Sequence, residues 1–184
     1  ACRRCMVITA RLHCGLDPLK EPMSAPFSTD EFRSALGQFA TGVTIVTARD
    51  RNGHLVGLTA NSFVSVSLEP PLVLWCLSSN SSALPGFEAS THYAINVLAA
   101  DQRPLAERFA RKGIDRFEGT AWRQGLTGAP IIEGAIAVFE CAHHQMVPSG
   151  DHVVLIGKVE HVQRRIGARP LVFHGSRFLT DLPA

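Results

Sequence analysis

Apolar residues along this chain recur mostly with a period of two, in short runs closed by glycine, proline or hydroxyl residues. In "GLTANSFVSVSLEPP" (57–71), Val64, Val66 and Leu68 alternate with Ser65 and Ser67. That rhythm predicts a strand whose valines and Leu68 anchor it, with Pro70 and Pro71 ending it. "VTIVTA" (43–48) and "LVGLTA" (55–60) predict two strands joined at Asn52-Gly53, a strong hairpin signal. "LVLWCL" (72–77) is apolar on both faces and needs cover from a helix, a barrel core or a second subunit. "YAINVLA" (93–99), "AIAVFECAHHQMV" (135–147), "HVVLIGKVEHVQRR" (152–165) and "LVFHGSRF" (171–178) add further strands.

Helical spacing is confined to the margins. Ser28 and Glu31 form a capping-box pattern ahead of Phe32, Leu36 and Phe39, with Gly42 as the expected stop. In "DQRPLAERFARKG" (101–113), Asp101 is the expected cap, Pro104 fits the first turn and Leu105 pairs with Phe109. "SSNSSALPGFEAS" (78–90) reads as a loop holding a short helix, and "DRFEGTAWRQGLTGAP" (115–130) as a glycine-punctuated loop. Many consecutive strands with short turns predict a mainly β fold, an antiparallel barrel with a few peripheral helices.

Bulk properties narrow the class without naming a chemistry. The 184 residues are 46% hydrophobic and 18% charged, enough for one cored domain. A formal charge of +2, with scattered basic residues, predicts no nucleic-acid partner. No apolar run approaches the roughly 18 residues of a membrane span. Residues 1–25 lack periodicity and read as a disordered N-terminal extension, Met23 being a natural start, ahead of a domain at 26–184. Cys2, Cys5 and Cys14 lie in that extension and show no second metal-binding pair, while Cys76 and Cys141 sit in apolar runs. An odd count of five with no framework favours a reducing, cytoplasmic setting.

The chain has no G-x-G-x-x-G after a first strand, no P-loop and no G-x-S-x-G elbow. His143 and His144 are adjacent and fall on opposite faces of a strand, so no metal site is expected. Two places carry more chemistry. "TANSFVSVS" and "LSSNSS" are hydroxyl-rich and flank neighbouring strands, as the two walls of one ligand cleft would. In "PSGDHVVLIGKV", Ser149-Gly150 makes a tight turn that delivers Asp151 and His152 to the start of a strand. A histidine held by a carboxylate is well placed to contact a polar ring.

These motifs, with "FATGVTIVTA", "YAINVLAADQRPLAERFA" and "GAPIIEGAIAVFEC", occur in the order and spacing of the short-chain flavin reductases. Those proteins are the reductase components of two-component flavin monooxygenases, the 4-hydroxyphenylacetate 3-monooxygenase reductase being a representative. The resemblance covers roughly residues 28–182; residues 1–25 match nothing in the family. It implies an antiparallel split β-barrel that binds FMN or FAD, and a homodimer with flavin near the subunit interface. It also implies hydride transfer from NADH or NADPH to flavin, and delivery of the reduced flavin to a separate monooxygenase. By motif, Thr59, Ala60, Asn61 and Ser62 border the flavin ring, with Ser65 assisting. Ser78, Ser79, Ser81 and Ser82 approach the ribityl or phosphate groups. Gly150, Asp151 and His152 match the nicotinamide-side motif, with His152 in the catalytic contact.

One position departs from the pattern. Many relatives carry Lys or Arg where this chain has Asn80, so phosphate charge must be met by amides, hydroxyls or another arginine, such as Arg108 or Arg111. FMN and FAD both remain open, as do NADH and NADPH, although no basic cluster for a 2′-phosphate is evident. Two rivals stand beside the reductase: a flavin-dependent oxidase of the same barrel type, and a non-catalytic flavin- or haem-binding module.

Overall fold

The computed structural model describes residues 26–180, so the expectation of a disordered extension over 1–25, with its three cysteines, falls outside the described residues. Helix α1 (Thr29–Leu36) starts as its sequence dictates. Ser28 Oγ accepts the Glu31 amide at 3.1 Å, and the Ser28 amide donates to Glu31 Oε2 at 2.7 Å. The helix stops at Gly37 rather than Gly42, because Thr41–Gly42 forms strand β1 against Phe173 and Val172. Phe39 therefore lies beyond the helix, and Phe32 and Leu36 face outward, half exposed.

Strands β2 (Thr44–Arg49) and β3 (Leu55–Ala60) form the expected hairpin. Its loop is closed by Asp50 Oδ1, which accepts the Asn52 and His54 amides at 2.8 Å each, while Gly53 supplies a φ of +86°. The chain continues through β4 (Val64–Leu68), β5 (Pro71–Ser78), α2 (Leu84–Ala89) and β6 (His92–Val97). A 3₁₀ turn at Ala100–Gln102 leads into α3 (Arg103–Ala110). Asp101 lies inside that turn and does not cap the helix; the residue ahead of α3 is Gln102, whose side chain bridges the Ala99 amide and the Glu133 carbonyl. Strands β7 (Trp122–Gln124) and β8 (Pro130–Ile132) then pair, β7 within the stretch expected to be only loop and β8 starting at its last residue. The long hairpin β9 (Ala137–Ser149) and β10 (His152–Arg164) follows, and β11 (Val172–His174) and β12 (Arg177–Leu179) complete the chain.

Seven strands join in one antiparallel sheet, in the order β3-β2-β6-β9-β10-β5-β4. A second sheet is β1-β11-β12, and β7-β8 is a third. The fold is mainly β with few helices. Its large sheet is not closed into a ring by strand pairing, since β3 and β4 are its two edges. Both faces of β2 are covered: Val46 and Ala48 join one apolar cluster and Ile45 another, and the buried Thr44 and Thr47 hydroxyls donate to backbone carbonyls. The first cluster centres on Trp75, with Phe87 and Tyr93 edge-on at 5.0 and 5.9 Å. Burying an aromatic such as Phe87 stabilises the fold by roughly 1.5–3 kcal/mol. The second cluster packs α3, through Ala106 and Phe109, beneath the sheet.

Edge strand β4 departs from its sequence rhythm. Val64, Val66 and Leu68 are exposed at 51%, 47% and 91%, so its alternation marks an apolar face that the described residues do not bury. The stop behind it is a turn with a cis peptide between Glu69 and Pro70.

Candidate active site

Where β3 and β5 end, the sheet and the end of α3 enclose a cavity of about 490 Å³. Thr59, Ala60, Asn61 and Ser62 form one wall, Ser78, Ser81 and Ser82 line another, and His152 reaches in from the start of β10. The two hydroxyl-rich segments thus meet across one cleft. The pairing of β5 with β10 explains the meeting, since it sets His152 opposite Ser78. Ser65, Ser79, Gly150 and Asp151 are not in the cavity wall. Ser65 sits on edge strand β4 opposite Val73. The Ser79 amide donates to the Asp151 carbonyl at 3.0 Å, tying the loop to the β9–β10 turn. Gly150, at a φ of +63°, makes that two-residue turn possible.

Several hydroxyls expected to face a ligand are engaged in holding the walls. Thr59 Oγ1 donates to the Ala106 carbonyl at 2.6 Å, fastening α3 to β3. Ser62 Oγ accepts the Cys76 amide at 3.0 Å and donates back to the Cys76 carbonyl, joining the chain after β3 to β5. Ser78 and Ser81 each accept an amide two residues ahead, from Asn80 and Ala83. Asn61 and Ser82 are left with side chains that make no hydrogen bond among the described residues.

Asp151 acts from outside the wall. Its Oδ1 lies 2.8 Å from His152 Nδ1, so the ring donates through Nδ1 and presents Nε2 to a ligand. The hydrogen bond from His152, and then its charge, hold the Asp151 carboxyl below the usual carboxylate range. Cys76 also lines the cavity, and burial pushes its thiol pKa up.

Two cations in the cavity escaped the sequence reading, Lys112 and Arg116. Arg108 and Arg111, the expected candidates, support the loop instead. Arg108 donates to the Arg116 carbonyl at 3.0 Å and the Asp115 carbonyl at 2.8 Å, and the Arg111 carbonyl accepts from Arg116 Nε at 2.9 Å. Arg116 Nη1 is fixed on the Gly57 carbonyl at 2.7 Å. Burial lowers the pKa of this guanidinium, yet no carboxylate within the described residues pairs with it. The glycine in β3 allows the approach: a Cβ at Gly57 would stand 2.9 Å from the Phe109 ring. The signal available in sequence was Arg116 within the glycine-punctuated loop, but only the packing of that loop on β3 turns it inward.

A slot with apolar walls, amide and hydroxyl groups along its sides, and two cations suits a planar ring carrying a phosphorylated chain. The donor set therefore fits a flavin nucleotide. Among the described residues no three metal-ligating side chains come together.

Similarity to known proteins agrees with this class of site. Residues 36–180 match the flavin reductase like domain, and the chain belongs to that family. The FMN reductase (NADH) SmoA of Agrobacterium fabrum is 47% identical over 80% of this chain and 83% of its own length. The actinorhodin polyketide dimerase of Streptomyces coelicolor is 43% identical over 79% and 82%. The flavin-dependent monooxygenase reductase subunit HsaB of Mycobacterium tuberculosis is 40% identical over 83% and 82%. Among solved structures, the Streptomyces globisporus NADH:FAD oxidoreductase SgcE6, in complex with NAD and FAD fragments, superposes with a TM-score of 0.81 at 37% identity, covering 89% of this chain and 98% of its own.

Proposed function

We propose that this chain is an NAD(P)H-dependent flavin reductase that supplies reduced flavin to a separate monooxygenase. The observation that carries the reading is the cavity that brings Lys112 and Arg116 together with the Asp151-supported His152 at the start of β10. Bound there, flavin supplies the hydride acceptor and the chain supplies position. Thr59–Ser62 and Cys76 flank the ring, Lys112 and Arg116 meet the phosphate, and Asn61 and Ser82 offer unengaged hydrogen-bonding groups. His152 Nε2 orients the nicotinamide carboxamide, with Asp151 fixing the tautomer. Such a reaction asks for proximity and alignment more than for proton transfer, which fits a cavity with no triad.

The architecture in this reading is a split barrel completed as a homodimer. The exposed β4 valines and Leu68, beside Ser62 on the chain, supply an apolar edge for the second copy. Cys76 and Cys141 are free thiols, in keeping with a cytoplasmic protein. Among the described residues no helix is long and apolar enough to cross a membrane, and the reading requires neither membrane nor nucleic acid.

The test is NADH and NADPH oxidation by the purified protein, with and without riboflavin, FMN or FAD. Flavin-dependent turnover is expected, with NADH preferred. Lys112 and Arg116 would also suit the phosphate of a flavin oxidase, and a yellow protein inert to both nicotinamides would establish that rival. Flavin binding without turnover would establish the binding module.

A further inference from the structure

Arg116 lines two cavities at once. Beyond the one described lies a second, of about 220 Å³, walled by Leu55–Gly57, Ser82–Ala83 and Ile114–Phe117, and the two share Ser82 and Arg116. Thr59, Asn61 and Ala110 of the first also border an apolar hollow with Phe173 and Phe178, which shares no residue with the second. The cleft thus grades from aromatic at one end to cationic at the other, and continues past the cation. A flavin mononucleotide ends at its phosphate and has no group to place beyond Arg116.

We propose that Arg116 seats a pyrophosphate at the junction of the two cavities and that the second takes an adenosine, making FAD the preferred flavin. The inference rests on the flavin-reductase reading and adds which flavin the site selects. Three features of the second cavity support a nucleoside. Its wall is mainly polar, as a ribose and a base edge require, with Phe117 and Ile114 at its border. Among the described residues the β3 edge that forms its wall has no strand partner on that side, leaving backbone groups other than the Gly57 carbonyl available to a base edge. Asp115 is the acidic group facing the seat. Its Oδ1 is committed to the Phe117 and Glu118 amides at 2.9 and 3.3 Å, which leaves Oδ2 to accept ribose hydroxyls. Arg116 keeps Nη2 for an anion, because Nε and Nη1 are held by the Arg111 and Gly57 carbonyls.

The experiment is equilibrium binding of riboflavin, FMN and FAD, followed by flavin fluorescence, to the full chain and two variants. The wild type should bind FAD at least about tenfold more tightly than FMN. Ile114→Ser, at a position 43% exposed, should shrink that advantage severalfold by weakening FAD much more than FMN. Arg116→Gln should weaken FMN and FAD by about tenfold or more and spare riboflavin, which has no phosphate. Equal or tighter binding of FMN by the wild type overturns the inference while leaving the reductase reading intact. So does an Arg116→Gln variant that loses riboflavin equally, since Arg116 would then be only structural. Binding of all flavins with no flavin-dependent NAD(P)H oxidation would instead overturn the reductase reading.

Discussion

His152 gains its position from two neighbours: Gly150 turns the chain, and Asp151 holds Nδ1 at 2.8 Å. His152→Ala should therefore raise the NADH concentration needed for half-maximal rate by about tenfold or more while changing flavin affinity little. Equal losses in both would remove it from the nicotinamide side. His143 makes a different prediction. It is half-buried, with Nε2 3.1 Å from Ser90 Oγ and its ring edge-on to Tyr93 at 4.9 Å. Burial, and then the charge of nearby His92, lower its pKa below the ordinary 6.5, while His92 itself faces Glu160 at 3.3 Å. A histidine depressed in the folded state contributes stability that is full above its unfolded pKa and lost as pH falls through the folded value. The melting temperature should accordingly fall as the pH drops below the ordinary histidine value of about 6.5. His143→Gln should flatten that drop, and an unchanged pH slope would show that another group causes it.

The elements that shape the cavity meet through close backbone approach. Gly57 lets Phe109 of α3 and Phe117 of the following loop press on β3, and its carbonyl fixes Arg116. Gly57→Ala should cost about 1–3 kcal/mol by overpacking and weaken phosphate-bearing flavins together with it. Thermal melts and flavin titrations on the same sample would check both effects. Farther from the site, Phe87 of α2 is fully buried against Trp75. Phe87→Ala should lose about 3–5 kcal/mol through the cavity it leaves, read as a large fall in melting temperature. Helix α1 teaches the opposite lesson. Its capping box was legible from Ser28 and Glu31, but its end was not, because a distant strand captures Thr41 and Gly42.

At the scale of the whole molecule, exposed apolar surface sets the expectation. Val66→Lys, on the outer edge of β4, should shift the protein toward monomer in sedimentation experiments and reduce turnover, because the proposed dimer buries that edge. A wild type that sediments as a monomer would refute the dimer reading. The same strand shows why pattern and burial can part: the period of two was correctly a strand, but alternation reports an apolar face without saying what covers it.

Sequence by itself determined the strand-rich composition, the Asn52-Gly53 hairpin, a tight turn at Gly150 and about half of the residues around the cavity. These are encoded by local steric and hydrogen-bonding preferences, which act between near neighbours. Only the tertiary structure decided that Ser62 holds Cys76, that Thr59 holds α3, and that Arg116 rather than Arg108 or Arg111 lines the cavity. Each of those outcomes depends on which strands and loops pack together across long stretches of chain. Side-chain identity supplies a donor or a charge, and the partner that receives it is chosen by packing.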